Sequence, residues 1–172
     1  LLESKVAVLG AGGLGGNVLE LLARFGVGNL VCVDKDVFED SNLNRQILSN
    51  TDNLGEYKVE AAKRRIEAIN PSVEVEIWPV PADEGNLTEI MGGCQVAVDA
   101  LDSIPTRFVL QKVAHEMNTP LVHGAIGGFL GQIMSIFPGD RGLANVYGSK
   151  LSEEQGLEKT LGTPCITPFM VA

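Results

Sequence analysis

The sequence predicts an α/β fold, a doubly wound and mostly parallel sheet with an antiparallel extension at one edge. Three observations carry this expectation. Short apolar runs alternate with stretches of helical periodicity, the pattern of successive strand–helix–strand units. A glycine-rich turn, Gly10-Ala11-Gly12-Gly13-Leu14-Gly15, joins the first run to the first helix. Late in the chain, glycines at 124, 127 and 128 lead so tightly into the run after Phe129 that the added strand is expected to be antiparallel at an edge.

Val6-Ala7-Val8-Leu9 is the first strand, and Leu14, Val18, Leu21, Leu22 and Phe25 then recur at helical spacing. A strand turning through glycines into a helix is the setting in which G-x-G-x-x-G carries meaning. Gly10 would allow the tight turn, Gly12 a close approach of pyrophosphate, and Gly15 close packing of helix on strand. Gly13 adds to the same turn, and the free N–H groups at the helix start would hold a phosphate. The plain alternative is a glycine turn with no ligand.

Residues 30–34 form a second strand ending in Asp34, where a carboxylate can accept hydrogen bonds from ribose hydroxyls or simply punctuate a turn. The polar stretch 35–55 carries Asp36, Asn42, Asn44, Arg45, Gln46 and Asn50. It is long for a strand-to-helix connection, as functional loops are; its Phe38, Leu43, Ile47 and Leu48 argue against disorder.

A helix follows over 58–69, with Val59, Ala62, Ile66 and Ile69 as its stripe and Lys63, Arg64 and Arg65 on the solvated face. Asn70-Pro71 ends it. Val73, Val75 and Ile77 alternate with glutamates as a strand with one wet face, and Trp78 is read as packing. Asn86 and Glu89 suggest a capping box before a short helix. Residues 95–99 make a buried strand and 103–117 a helix with Pro105 in its first turn. Strands at 121–125 and 129–137 complete the sheet, and a glycine-punctuated segment follows. The whole is Rossmann-like.

Composition narrows the function. The chain has 172 residues, 45% hydrophobic and 20% charged, with a net charge of −9: one globular domain with a sizeable core. An acidic protein is a poor match for nucleic acid, whose phosphates need clustered Lys and Arg. No run is long and apolar enough for a bilayer and no signal peptide opens the chain. Cys32, Cys94 and Cys165 are far apart and odd in number, so they suggest neither a disulfide framework nor a zinc knuckle. A cytoplasmic setting fits them, with Cys32 in the core.

Taken in order, Gly10-Ala11-Gly12-Gly13-Leu14-Gly15, Asp34-Lys35-Asp36, Ser41-Asn42-Leu43-Asn44-Arg45-Gln46, Gly55-Glu56-Tyr57-Lys58, Ile69-Asn70-Pro71, Asp99-Ala100-Leu101-Asp102 and Gly131-Gln132-Ile133 resemble the ThiF/MoeB/HesA family, relatives of the ubiquitin-activating enzymes. The match covers roughly residues 1–140, with a weaker echo over 162–172. The resemblance implies adenylation of the C-terminal glycine of a small ubiquitin-like sulfur carrier ending in Gly-Gly, using ATP and Mg²⁺ and releasing pyrophosphate. It implies that Asp34 holds the ribose, that Asn42, Arg45 and Lys58 hold the triphosphate, that Asp102 holds the metal, and that Asp36 and Gln46 support the same site. Catalysis would rest on Arg45, Lys58 and Asp102.

A homodimer is also implied, because in this family an arginine from a neighbouring subunit reaches the ATP. The helix carrying it would precede Leu1, and the family's last elements would follow Ala172, so 1–172 is expected to be a single ATP-binding adenylation domain lacking both. Many members bind zinc through two CxxC pairs; none stands after Phe137, so no zinc is expected. Some members capture the carrier on a late cysteine, which Cys165 would match in position. Its neighbours Pro164 and Ile166 favour packing.

The same superfamily contains tRNA-modifying dehydratases, which the Ala100-Leu101-Asp102-Ser103 segment would suit and the acidic charge disfavours. An NAD-dependent dehydrogenase would explain 10–34 but leave Asn42–Gln46 and Lys58 idle. A non-catalytic scaffold binding a ubiquitin-like partner is the third alternative.

Overall fold

The computed structural model describes residues 1–148 and 166–172. Six strands, β1 (Lys5–Leu9), β2 (Asn29–Val33), β3 (Glu74–Trp78), β4 (Val96–Asp99), β5 (Leu121–Gly127) and β6 (Leu130–Ile136), form one sheet in the order β3-β2-β1-β4-β5-β6. Neighbours from β3 to β5 pair parallel, and β6 pairs antiparallel with β5. The Gly127↔Leu130 register leaves Gly128 and Phe129 as a two-residue turn, with Gly128 at φ +58°. This is the doubly wound sheet with an antiparallel edge that the sequence predicts. The strand order reverses between β1 and β4, opening a crevice at their carboxyl ends.

The helices are α1 (Gly13–Phe25), α2 (Lys58–Ile69), α3 (Leu87–Ile90), α4 (Ile104–Glu116), α5 (Ala144–Tyr147) and α6 (Ile166–Val171). Alternate residues of the central strands feed two apolar layers. Val6, Val8 and Cys32 pack with Leu19 and Ala23 of α1 and Val59, Ala62 and Ile66 of α2. Ala7, Leu9, Val31 and Val33 pack with Leu87 and Ile90 of α3 and Leu110 and Val113 of α4. Being covered on both faces, β1 and β2 read as continuous apolar runs. Cys32 is fully buried, and that burial, with the charge of Asp34 nearby, drives its thiol far up. Among the described residues no helix is long and apolar enough to cross a membrane.

Several local details differ from the sequence expectation. In α1 the buried apolar residues are Leu14, Leu19 and Ala23, and Phe25 is 72% exposed. Phe25 lies about three turns beyond Leu14 on nearly the same face; Leu14 is covered by β5 at Gly124, whereas Phe25 has run past that cover. The capping interaction before α3 sits one turn earlier than Asn86 and Glu89. Asp83 Oδ1 accepts the N–H groups of Gly85 and Asn86, and Asn86 Oδ1 accepts the Asp83 N–H in return. Having answered Asp83, Asn86 makes no side-chain cap of its own helix. α4 starts as expected, with Ser103 Oγ accepting the Thr106 N–H and Pro105 in the first turn.

The long connection after β2 is closed by its own backbone. Val37 bridges Tyr57, the Phe38 N–H reaches the Glu56 carbonyl, and the Gly55 N–H reaches the Phe38 carbonyl. Phe38 and Leu48 are the anchors in the core, whereas Leu43 and Ile47 are exposed. Cys165 lies outside the described residues.

The two helices on one side of the sheet are tied by a carboxylate. Glu20 of α1 takes hydrogen bonds from Arg24 one turn on and from Arg65 of α2, at 2.6–3.2 Å. Burial pushes its pKa up, but the two guanidinium groups outweigh burial and leave it below the usual carboxylate value. A carboxyl lowered by folding stabilises the protein above its unfolded pKa and loses that contribution as pH falls through the folded value. Glu20→Gln is therefore expected to cost about 1–2 kcal/mol near pH 7, and to cost little near pH 3. Urea denaturation of both proteins across that range checks it.

Candidate active site

The crevice at the switch point is a cleft of about 950 Å³. Its floor is the glycine turn. Gly10 stands at φ +98°, in the left-handed region that favours glycine, and a Cβ there would lie 2.6 Å from the Ala100 carbonyl oxygen. A Cβ on Gly15 would stand 1.8 Å from the carbonyl oxygen of Gly10. Only glycines allow the start of α1 to press so closely onto the ends of β1 and β4. Gly12 is different: a Cβ there would touch only the Gln46 amide, at 3.6 Å, so the backbone at Gly12 stays approachable from the cleft. Gly10, Gly12 and Gly13 line the cleft; Gly15 lies behind them, at the packing contact.

The walls hold the charged and polar side chains. Asp34, at the end of β2, accepts the Ala11 N–H at 2.8 Å through one oxygen and the Asp36 N–H at 2.9 Å through the other. Burial raises its pKa, and the Lys58 charge and those two N–H groups work against the rise. Each carboxylate oxygen keeps a second lone pair for a ligand hydroxyl.

Lys58 is the first residue of α2. Its backbone N–H binds the Asp36 carbonyl. Its side chain is only 8% exposed, and Nζ lies 3.4 Å from Asp36 Oδ2, a carboxylate itself more than half exposed. A helix N-terminus is the unfavourable end for a cation, and burial adds desolvation. This ammonium is held in the cleft wall at an energetic cost that a bound anion would offset.

Residues 42–46 form the opposite rim. Asn42 closes a single 3-10 turn, Asp40–Asn42, by accepting the Glu39 N–H on Oδ1. Arg45 is half-buried and donates from Nη1 to the Ser41 carbonyl and to Asn44 Oδ1. Its backbone carbonyl and Cγ lie against Gly13. Gln46 is buried, and its Oε1 has no hydrogen-bond partner among the described residues. A buried acceptor left unmatched costs about 1–3 kcal/mol, a cost in keeping with a side chain that meets a ligand. Asp102 is exposed on the turn after β4 and lines the same cleft.

The fold thus brings together Gly10, Gly12, Gly13, Asp34, Asp36, Asn42, Arg45, Gln46, Lys58 and Asp102 around one cleft. Lys63 lies elsewhere on α2; its neighbours Arg64 and Arg65 are engaged with Glu56 and Glu20. Among the described residues no three His, Cys, Asp or Glu side chains gather as a metal cage.

The sequence of the ThiF family matches residues 1–167. The chain belongs to the ThiF family. It is 46% identical over 138 residues to a SAMP-activating enzyme E1 of Haloferax volcanii, covering 80% of this chain and 51% of that protein. To a sulfur carrier protein adenylyltransferase of Thermus thermophilus it is 44% identical over 133 residues, covering 77% and 49%. The tRNA N6-threonylcarbamoyladenosine dehydratase TcdA of E. coli, solved in complex with AMP, superimposes with a TM-score of 0.72 at 33% identity, covering 75% of this chain and 53% of that one. This ThiF-family chain spans about half the length of the Haloferax and Thermus relatives.

From the sequence, His123 at a strand's carboxyl end could face the site; the structure instead buries it away from the cleft lining, in a polar cluster that sequence reasoning missed. His123 and Asp99 are completely buried and bonded to each other, and Arg107, 5% exposed, lies beside them. The available signal was a carboxylate and an imidazole inside runs, Val96-Ala97-Val98-Asp99 and Leu121-Val122-His123, that otherwise read as buried strand.

The two glycines separate packing from binding. Gly15→Ala is expected to lower stability by about 3 kcal/mol or more, because two backbones must part. Gly12→Ala should cost under about 1 kcal/mol. Thermal and urea unfolding of the two variants measure the difference.

Proposed function

We propose that this chain is the ATP-binding core of an enzyme that adenylates the C-terminal glycine of a ubiquitin-like sulfur carrier. The observation that carries the proposal is the convergence of the glycine turn, buried Lys58, Arg45 and Asp34 on one cleft. The activities named for the archaeal and bacterial relatives support the same reading. The reaction forms a bond between a carrier carboxylate oxygen and the α-phosphorus of ATP, and breaks the bond from that phosphorus to the bridging oxygen of pyrophosphate. No side-chain nucleophile is needed. The protein's task is to align the two reactants and to stabilise negative charge growing on the leaving group.

In this reading the N–H groups at the start of α1 receive phosphate oxygens over Gly12 and Gly13. Asp34 accepts the ribose hydroxyls. Lys58 and Arg45 face the β- and γ-phosphates, Arg45 as a planar fork that a lysine would not reproduce. Gln46 and Asn42 complete the rim, with Asp36 holding Lys58 in place. Asp102 would hold Mg²⁺ jointly with phosphate oxygens, as suits an ion that takes one or two carboxylates and several other oxygens. That ion, when bound, supplies further neutralisation of the triphosphate.

TcdA favours a second reading, in which the activated carboxylate belongs to a tRNA nucleoside. The net charge of −9 weighs against a polyanionic partner and for a carrier protein. We further propose a symmetric homodimer, the commonest closed assembly, which the mass of the full-length protein in solution would test; a monomer at micromolar concentration would contradict it.

ATP–pyrophosphate exchange by the full-length protein, with a carrier ending in Gly-Gly, tests the site. Arg45→Ala and Lys58→Ala should each slow exchange by about 10²–10³-fold. Lys63→Ala, on the same helix as Lys58 but away from the cleft, should leave it unchanged. Asp34→Ala should act mainly on the KM for ATP, because ribose contacts change little between ground and transition states. Asp102→Asn should raise the Mg²⁺ requirement. Exchange that depends on a tRNA rather than a carrier would favour the second reading.

A further inference from the structure

At the cleft wall, where Arg107 is itself a lining residue, polar side chains from β4, β5, β6, α4 and α5 meet in one cluster, with Asp99, His123 and Arg107 buried and Gln132 and Tyr147 half-buried. Asp99 Oδ2 lies 2.7 Å from His123 Nδ1. On the far side of the ring, His123 Nε2 lies 2.8 Å from Gln132 Nε2 and 3.3 Å from the Tyr147 hydroxyl. A proton on Nδ1, with Nε2 accepting from Gln132, gives both close contacts a donor and an acceptor. Arg107 Nη1 donates to the Tyr147 hydroxyl at 2.7 Å. Tyr147 also packs edge-on to Phe108 against the apolar layer of α3 and α4, whereas Asp99, Arg107, His123 and Gln132 take no part in that layer.

Gln132 Nε2 also donates to the Tyr147 hydroxyl at 3.1 Å, and the remaining hydrogen bonds converge on one backbone residue. The Leu101 N–H donates to Asp99 Oδ1 at 3.1 Å. The Leu101 carbonyl accepts from Arg107 Nε at 2.9 Å and also from Nη2. Arg107 Nε lies 3.8 Å from Asp99 Oδ1, so the two charges that grip Leu101 also neutralise each other. The Leu101 carbonyl belongs to a planar peptide unit whose other end is the Cα of Asp102. Fixing that carbonyl fixes the base of the Asp102 side chain. The same turn meets the glycine floor, because the Ala100 carbonyl lies against Gly10.

We infer that Asp99, Arg107 and His123, braced by Tyr147 and Gln132, form a positioning device that clamps the Leu101 peptide and thereby sets Asp102 over the cleft. Arg107 and His123 are positioning residues, acting through Leu101 on Asp102. The inference rests on the reading of Asp102 as the Mg²⁺-holding carboxylate. A carboxylate on a turn gains affinity for a metal by being held in place, and partners one layer behind a ligand typically carry about 10–100-fold in affinity or activity. The two-pronged Arg107 grip on one carbonyl is what a lysine lacks.

The test uses the full-length protein with two variants. Arg107→Lys keeps the charge and loses the fork; Tyr147→Phe removes only the hydroxyl that Arg107 and Gln132 share. The first readout needs neither nucleotide nor metal: amide hydrogen exchange at Leu101, whose N–H is held by Asp99, should accelerate in both variants, while amides of β1 and β2 stay protected. The second is pyrophosphate exchange against Mg²⁺. The half-saturating Mg²⁺ concentration should rise by about 10-fold or more in Arg107→Lys and in the same direction in Tyr147→Phe, with the rate largely restored at saturating Mg²⁺. If Asp102→Asn shifts the Mg²⁺ requirement but neither clamp variant does, the clamp is wrong and the assignment of Asp102 stands. If Asp102→Asn leaves the requirement unchanged, the assignment itself fails. A uniform rate loss at every Mg²⁺ concentration, with Leu101 still protected, would also overturn the clamp.

Discussion

The site depends on one steric constraint, the contact of bare backbone at Gly10, Gly15 and Ala100. A side chain at Gly15 would collide with the Gly10 carbonyl at 1.8 Å, and one at Gly10 with the Ala100 carbonyl at 2.6 Å. Because these positions carry none, the first turn of α1 settles directly on the carboxyl ends of β1 and β4. The N–H groups that a helix start leaves without intrahelical partners then open onto the crevice where the strand order reverses. The loop after β2, the turn after β4 and the start of α2 reach the same crevice because their strands end at the same level of the sheet.

Electrostatics within that frame suit an anion. Lys58 is buried at the end of a helix that repels it, with a long contact to an exposed partner. Asp34 is half-buried, and its desolvation raises its pKa despite Lys58 and two N–H groups. Gln46 carries a buried acceptor without a donor. Each feature costs stability in isolation, and such costs collect at functional sites. A nucleotide offers oxygens for the cation, hydroxyls for the carboxylate and phosphate oxygens for the helix start.

Much of this was legible from the sequence because it is local. The glycine turn, the acidic end of β2 and the 58–69 helix each declare themselves within about a dozen residues, and the structure brings every cleft residue named from the sequence to one place, with Gly15 behind the floor. The exposure of Phe25 was not legible, since it depends on where β5 stops covering α1. The true cap before α3 escaped because Asp83 and Asn86 satisfy each other, a choice that residue types alone do not reveal. The Asp99–His123–Arg107 cluster escaped for a deeper reason: its members come from three elements up to 24 residues apart, and only the sheet register β4–β5 places Asp99 beside His123.

The most direct test of the adenylation reading follows the phosphorus atom. Full-length protein would be incubated with a Gly-Gly-ending carrier and Mg²⁺, using ATP labelled at the α-phosphorus in one sample and at the γ-phosphorus in another. The predicted result is α-label on the carrier as an acid-stable, base-labile acyl adenylate, with γ-label released as pyrophosphate. Release of γ-label as inorganic phosphate with ADP as co-product, and no α-label on the carrier, would contradict it.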